Sequence, residues 1–199
     1  MKRMNHIFKQ GDQGKPVFLL LHGTGGDERD LLPLAEMLDP TYSVLSVKGE
    51  VSENGMARYF RRLAEGEYDV EDLEYSGKEL YQFIEESAKE YEFNLEDVIP
   101  VGFSNGSKIA INIILREETP FKKALLFAPL YPVDLQNNNK DLSDFNVFLS
   151  MGERDPIVTK EQSERVIQIF KERNATVSET WVNSHEITQE AVLAAREIL

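Results

Sequence analysis

The chain of 199 residues contains no cysteine. Disulfide bonds, thiolate metal sites and a cysteine nucleophile are therefore excluded. No apolar run approaches the roughly 20 residues that cross a bilayer, and no apolar signal core follows the basic residues at the start of the sequence. We therefore expect a cytoplasmic protein without membrane-spanning segments.

Basic residues are also few, because 22 Lys and Arg stand against 35 Asp and Glu, which gives a net charge of −13. A field of this sign repels nucleic-acid phosphates and anionic lipid headgroups, so we expect no nucleic-acid partner and no stable membrane association. The three histidines form no pair at metal-ligand spacing, and we expect neither a metal nor another cofactor. Since there is no repeat, low-complexity tract or linker, residues 1–199 are predicted to form one domain, whose oligomeric state stays open, a homodimer included.

The most informative motif is the sequence Gly-Phe-Ser-Asn-Gly at residues 102–106. An apolar run at residues 98–101 precedes it, and residues 108–116 follow with apolar side chains at helical spacing. Strand, sharp turn and helix around a serine flanked by two glycines are typical of a nucleophile held at the apex of a strained turn. We therefore expect Ser104 to be a nucleophile.

Apolar runs of strand length alternate with helical patterns from residue 17 to the end of the sequence. This alternation predicts an α/β fold with a mostly parallel sheet, helices on both faces and no separate cap domain. Four polar residues each follow a predicted strand: Thr24, Ser104, Asp155 and His185. Since sites in such folds lie at the carboxyl ends of the strands, we expect these four residues at one edge of the sheet.

Several local details are less regular. Residues 1–15 fit an edge hairpin. Residues 27–30, three of which are acidic, are expected to open a helix because acidic side chains suit the positive end of its dipole. Residues 48–67 form a long segment to which no element is assigned. Pro100 lies inside the predicted central strand, where its missing N–H costs a ladder hydrogen bond.

A serine hydroxyl becomes a useful nucleophile only when a base takes its proton. His6 lies in the N-terminal region, and His22 is better explained as structural support for the glycine turn that follows it. His185 follows the last predicted strand, where a base can reach Ser104. We therefore expect His185 to be the base.

The base needs a carboxylate that fixes its tautomer and stabilises its protonated form. Asp155 follows the strand at residues 147–151, and Glu153 is its nearest rival. Three other aspartates have no strand directly before them: Asp134, Asp141 and Asp144. The order Ser104, Asp155, His185 is the order of the catalytic triad in α/β-hydrolases.

Acyl transfer also needs N–H donors aimed at the developing oxyanion, each worth on the order of 3 kcal/mol. We assign the backbone N–H of Asn105, directly after the nucleophile, and that of Thr24, with Gly25 as its neighbour in the glycine turn. A dinucleotide loop is a weaker reading of this turn. The third glycine of that motif is replaced by Glu28.

Four segments together resemble the phospholipase/carboxylesterase family of α/β-hydrolases, which includes acyl-protein thioesterases: residues 21–28 (LHGTGGDE), 102–106 (GFSNG), 152–158 (GERDPIV) and 184–185 (SH). Residues 30–35 and 53–62 resemble a bacterial subgroup of small carboxylesterases associated with resistance to quinones and hydroquinones. The resemblance implies a triad of Ser104, Asp155 and His185. Asn105 stands where the thioesterase branch usually has glutamine, which argues against carrying over a protein-thioester substrate.

The leading hypothesis is a serine carboxylesterase that hydrolyses small, neutral esters or thioesters in a surface cleft. Four residues are expected to line that cleft, although core packing is an equal reading of the last three: Gly25, Met56, Tyr59 and Phe60. An alternative is a lactone, dienelactone or carbon–carbon hydrolase in which Arg58 or Arg61 holds a substrate carboxylate, although surface solvation is the better-supported role of both. A third reading is a hydrolase fold kept for ligand binding without catalysis.

Overall fold

The computed structural model describes residues 3–64 and 67–199. The strands are β1 (His6–Lys9), β2 (Val17–Leu21), β3 (Ser43–Val47), β4 (Val51–Glu53), β5 (Met56–Arg58), β6 (Arg62–Ala64), β7 (Glu67–Tyr68), β8 (Val98–Phe103), β9 (Lys123–Phe127), β10 (Asn146–Gly152) and β11 (Thr176–Val182). The helices are α1 (Leu32–Leu38), α2 (Val70–Tyr91), α3 (Asn105–Ile114), α4 (Lys160–Glu172) and α5 (Gln189–Arg196), with a 3-10 turn at Leu95–Asp97. In this part of the chain, no helix is long and apolar enough to cross a membrane.

Seven strands form the main sheet in the order β1-β3-β2-β8-β9-β10-β11. All neighbours in it are parallel except β1, which runs antiparallel to β3. The expected N-terminal hairpin is therefore wrong, since β1 pairs with β3 and not with the strand that follows it. The α/β fold with a mostly parallel sheet is confirmed.

The two faces of the sheet carry separate apolar cores, as the alternation along β2 illustrates. Leu19 and Leu21 belong to the core that also holds apolar residues of α2, α3 and α4. Phe18 and Leu20 face the other way, into the core that α1 and α5 cover. Because every residue of β2 is buried, its sequence is a continuous apolar run, as a strand covered on both faces requires.

The order of the strands reverses between β2 and β8. From β2 the chain moves outward to β3 on one side, and it later returns to build β8, β9, β10 and β11 on the other side. Ligands of open parallel sheets bind beyond the carboxyl ends of the strands at such a reversal. The turns after β2 and β8, which hold Thr24 and Ser104, lie at this point.

Three local expectations are resolved by the structure. Helix α1 begins at Leu32, with a proline in its first turn and no acidic residue there, so residues 27–30 form turns and not the first helical turn. Pro100 pairs with Leu19 of β2, but the ladder with β9 begins only at Val101, so no bond to β9 is lost at the proline. The segment 48–67 contains short strands that the sequence did not reveal, in the two-stranded sheets β4–β5 and β6–β7.

Candidate active site

Ser104 lies in the sharp turn between β8 and α3. Its backbone has φ 53° and ψ −112°, a strained conformation for a residue with a side chain. The Ser104 N–H donates a hydrogen bond of 3.0 Å to the carbonyl of Phe127 at the end of β9. The hydroxyl of Ser107 donates to the same carbonyl at 2.8 Å. The neighbouring strand therefore holds the strained turn in place.

The glycines on both sides of Ser104 are required by close packing. A Cβ added at Gly106 would lie 1.9 Å from the carbonyl oxygen of Leu21, and one added at Gly102 would lie 2.7 Å from the backbone nitrogen of Ser107. Both distances are far below van der Waals contact, and both involve backbone atoms. The spacing of the motif thus follows from the close approach of β8, α3 and β2 around the serine.

Three residues from distant parts of the chain form a connected hydrogen-bond chain. The Nε2 atom of His185 lies 2.9 Å from Oγ of Ser104, and its Nδ1 atom lies 2.7 Å from Oδ2 of Asp155. The His185 side chain is 12% exposed and that of Asp155 is 1% exposed. With Nδ1–H bonded to the carboxylate, Nε2 is the acceptor that can take the proton of the serine hydroxyl.

Asp155 is fixed by the turn that follows it. Its Oδ1 atom accepts the backbone N–H of Ile157 at 2.7 Å and that of Val158 at 2.9 Å, which leaves Oδ2 directed at the histidine. Glu153 is exposed to solvent, and His185 is bonded to Asp155. The geometry therefore favours Asp155 over its nearest rival.

The two candidate oxyanion donors lie at the ends of β2 and β8. Asn105 is the first residue of α3, where an N–H has no partner within the helix. The N–H of Gly25 donates to the carbonyl of Ala57 at 3.0 Å and is therefore occupied. Within residues 3–64 and 67–199, no hydrogen bond engages the N–H of Thr24. Of the two neighbours in the turn, Thr24 is thus the better donor.

His22 stabilises the turn that contains Thr24. Its Nδ1–H donates to the carbonyl of Gly23 at 2.7 Å, and its Nε2 accepts the N–H of Gly49 at 3.0 Å. Burial lowers the pKa of the His22 imidazole below its ordinary value, so the ring is neutral, as these two bonds require. The structural role expected for His22 agrees with this geometry.

The residues expected to line a cleft have different environments. Met56 is 41% exposed, and its Sδ lies 3.6 Å from where a Cβ of Gly25 would be. Phe60 is fully buried in the core, so its assignment to an open cleft is wrong. Tyr59 is also buried, with its hydroxyl donating to the carbonyl of Val47 at 2.5 Å and accepting the N–H of His22 at 3.0 Å. Tyr59 therefore supports the turn from inside.

The environment of Arg58 differs from the one that the sequence predicts. Its side chain is 1% exposed, so surface solvation is wrong for it, whereas Arg61 is 66% exposed and pairs with Asp69 and Asp72. The Nη1 atom of Arg58 donates to Oγ1 of Thr24 at 2.7 Å. The only signal in the sequence was that residues 53–62 carried part of the family resemblance.

Metal ligands do not cluster in the part of the chain that the structure describes, where no group of three or more His, Asp or Glu side chains could hold an ion.

Comparison with known proteins fits this geometry. The model of the phospholipase/carboxylesterase family matches residues 3–199. The chain belongs to that family. It is a carboxylesterase-type α/β-hydrolase, and the resemblance noted in the motifs is confirmed over the whole domain.

Individual members support the same assignment. The chain is 40% identical to MhqD of Bacillus subtilis (strain 168) over 195 residues, which cover 98% of this chain and 96% of MhqD. The crystal structure of the Bacillus cereus carboxylesterase is similar with a TM-score of 0.93 and 45% identity, covering 98% of this chain and 92% of that one. A structure of YahD with malic acid has a TM-score of 0.93 and 30% identity, with 98% and 97% covered.

Proposed function

We propose that the protein is a serine carboxylesterase that hydrolyses small, neutral carboxylic esters or thioesters through an acyl-enzyme on Ser104. The observation that carries this proposal is the hydrogen-bond chain from Oγ of Ser104 to His185 at 2.9 Å and from His185 to Asp155 at 2.7 Å. Hydroxyl, imidazole and carboxylate stand in the order that a general base requires. The family to which the chain belongs makes the ester the expected type of substrate.

In the acylation half of the reaction, Nε2 of His185 removes the proton of Ser104 as Oγ attacks the carbonyl carbon. The C=O electrons move to the oxygen, and the N–H groups of Thr24 and Asn105 stabilise the resulting oxyanion. The protonated His185 then gives its proton to the leaving oxygen or sulfur. The C–O or C–S bond breaks, the alcohol or thiol leaves, and the acyl group remains on Oγ.

Deacylation uses the same groups. His185 takes a proton from water, whose oxygen attacks the acyl carbonyl, and a second oxyanion forms at the same two donors. The intermediate collapses with return of the proton to Ser104 and release of the carboxylic acid. Asp155 keeps its charge throughout, since its role is to orient the imidazole and stabilise the imidazolium.

The preference for small, neutral substrates rests on charge and on access. A net charge of −13 repels anionic substrates. Met56 is exposed beside Gly25, where an apolar side chain suits the neutral part of an ester. Between β3 and α2, the residues that the structure describes form only the short two-stranded sheets β4–β5 and β6–β7, with no cap domain that would enclose a long chain.

The test is the turnover of aryl esters of increasing acyl length by the purified protein and by its Ser104→Ala variant. We expect the substitution to lower kcat by about 10⁴-fold or more without unfolding the protein. A fluorophosphonate probe should label the unmodified protein and leave the variant unlabelled. Ester turnover that survives Ser104→Ala would overturn the proposal.

Two alternative functions have less support. A lactone, dienelactone or carbon–carbon hydrolase of this kind needs a cation that faces the substrate. Arg58, however, is buried with Nη1 and Nε already bonded to Thr24 and Phe60, and Arg61 is paired with Asp69 and Asp72. Turnover of dienelactones in preference to aryl esters would revive this alternative. A catalytically silent binding protein is disfavoured by the connected hydroxyl, imidazole and carboxylate, and a folded protein that resists the fluorophosphonate would favour it.

We also propose, from the net charge and composition, that the protein acts in the cytoplasm on small molecules, with neither nucleic acid nor membrane as a partner. Fractionation of cells that express it, with Ser104-dependent esterase activity as the marker, tests the location.

A further inference from the structure

Three consecutive residues, Ala57, Arg58 and Tyr59, contact both sides of the proposed oxyanion hole. The carbonyl of Ala57 accepts the N–H of Gly25 at 3.0 Å. The guanidinium of Arg58 donates to Oγ1 of Thr24 at 2.7 Å, and the N–H of Tyr59 donates to Oδ1 of Asn105 at 2.8 Å. One short segment is thus bonded to the residue that carries each oxyanion donor.

The turn around Thr24 needs such an anchor. Thr24 lies between two glycines, and Gly25 has φ +86°, a backbone conformation that residues with a side chain rarely adopt. Glycines leave the backbone many accessible conformations, whereas an oxyanion donor is useful only at a fixed distance and angle. A bond from the Thr24 side chain to a fixed partner removes much of that freedom.

Arg58 is suited to be that fixed partner. Its Nε donates to the carbonyl of Phe60 at 3.1 Å, and its guanidinium carbon lies 5.4 Å from the centre of the Phe60 ring. Glu53 lies 3.6 Å from Nε and also pairs with Arg62 at 2.6 Å. The guanidinium is therefore held by a carbonyl, a ring and a shared carboxylate, and its bond to Thr24 is charge-assisted and strong.

The burial of Arg58 costs stability that a purely structural residue would avoid. Burial lowers the pKa of its guanidinium, and its Nη2 has no hydrogen-bond partner among the described residues. A well-packed apolar side chain at such a position is often as stable or more so. A costly buried cation directed at an oxyanion residue is more easily explained by function than by folding.

We propose that Arg58 is a positioning residue for the oxyanion hole, and that its bond to Oγ1 of Thr24 keeps the Thr24 N–H aimed at the reacting carbonyl. This inference rests on the proposed serine mechanism, since only an oxyanion at Ser104 makes the orientation of Thr24 matter. Arg58 touches neither the substrate nor the reacting atoms in this role.

The test removes the bond from each end. Arg58→Met deletes the donor, and Thr24→Val replaces the hydroxyl by a methyl of similar size. Each should lower kcat by about tenfold to a hundredfold, less than the loss of a whole donor, with KM changed by no more than about threefold. Thr24→Ser keeps a hydroxyl and should recover most of the activity that Thr24→Val loses.

Non-additivity provides the sharper readout. Both substitutions break the same hydrogen bond. The kcat of the double variant, Arg58→Met with Thr24→Val, should therefore be within about twofold of the kcat of the poorer single variant. The affinity for an aryl trifluoromethyl ketone, whose adduct with serine bears an oxyanion, should fall by the same factor as kcat/KM. A residue that merely stabilised the hairpin would change the melting temperature and leave the ketone affinity unchanged.

The control is Arg61→Met, which alters a neighbouring exposed arginine and should leave kcat within about twofold. Full kcat in Thr24→Val would overturn the proposal even if Arg58→Met unfolds. Where Arg58→Met folds, fully additive losses in the double variant would overturn it as well. Ser104→Ala is measured in parallel. If it keeps its activity, the serine mechanism has failed; if it is inactive while Thr24→Val retains kcat, only the role of Arg58 has failed.

Discussion

Ser104, Asp155 and His185 on one side of the site, and Thr24 on the other, all follow strands of the main sheet, but they are held differently. Ser104 is fixed by the carbonyl of Phe127 in the next strand, and Asp155 by the N–H groups of its own turn. Thr24 is bonded to Arg58 of a two-stranded hairpin, 34 residues away in sequence. The triad side is thus held by the main sheet and by its own turns, whereas the oxyanion side at Thr24 also depends on a side chain from outside the main sheet.

The largest effect should come from the triad side. Asp155→Asn keeps the shape of the side chain but no longer stabilises the correct tautomer of His185, so kcat should fall by about 10³- to 10⁴-fold. Steady-state kinetics with an aryl ester measure the loss. Glu153→Gln, two residues earlier, should leave kcat within about twofold. Equal losses in the two variants would refute the choice of carboxylate.

The next largest effect should be on stability, and it compares Gly106 in the turn around Ser104 with Gly55 between β4 and β5. Gly106→Ala would bring a Cβ within 1.9 Å of a backbone oxygen, so the free energy of unfolding should fall by about 3 kcal/mol or more. Gly55→Ala meets open space, and only its φ of +82° is unfavourable, so about 1 kcal/mol should be lost. Urea denaturation of both variants checks the difference. Similar losses would mean that the turn around Ser104 is not closely packed.

The oxyanion side can be tested through Tyr59, which supports the turn that contains Thr24. In Tyr59→Phe, the carbonyl of Val47 and the N–H of His22 lose a buried partner, so the free energy of unfolding should fall by about 1–3 kcal/mol. Tyr75→Phe is the control, because that ring is 63% exposed, and it should cost less than about 0.5 kcal/mol. Thermal unfolding of both variants measures the difference. Indistinguishable stabilities would show that Tyr59 does not hold the turn.

The smallest effect concerns pH. Because burial lowers the pKa of His22 in the folded protein, the unfolded chain takes up the proton first, and stability falls as pH drops below about 6.5. One such group contributes at most about 1.4 kcal/mol per pH unit. His22→Asn should be less stable at pH 7.5 but lose less stability between pH 7 and pH 5.5. Urea denaturation at each pH measures the free energy of unfolding. If that free energy falls as steeply with decreasing pH in His22→Asn as in the unmodified protein, a neutral, buried His22 is contradicted.

The candidate site residues and the residues that support them also differ in what could be predicted. The motif around Ser104 was readable because strand, turn, glycines and helix are adjacent in sequence. Thr24, Asp155 and His185 were placed beside Ser104 by the rule that the carboxyl ends of parallel strands lie at one edge of the sheet. The short strands at residues 51–68 were not predicted, since three-residue strands give too little periodicity, and the burial of Arg58 depends on Thr24 and Phe60, which its local sequence does not reveal.

Smaller errors have similar causes. The three acidic residues among positions 27–30 favour a helix start there, but Pro33 suits the first turn of a helix that begins at Leu32. The N-terminal strand was expected to pair locally, although its partner β3 lies more than 30 residues further along the chain. In the first case a proline just beyond the acidic residues determined where the helix begins. In the second case pairing with a distant strand replaced the local hairpin.

The central claim is that Ser104 carries the acyl group. The most direct measurement is intact-mass and peptide mass spectrometry of the protein quenched during the burst with an aryl butyrate. The account predicts one butyryl group per chain, on the peptide that contains Ser104, formed at the rate of the burst and absent from Ser104→Ala. A burst without this modification, or a butyryl group on another residue at the same rate, would contradict it.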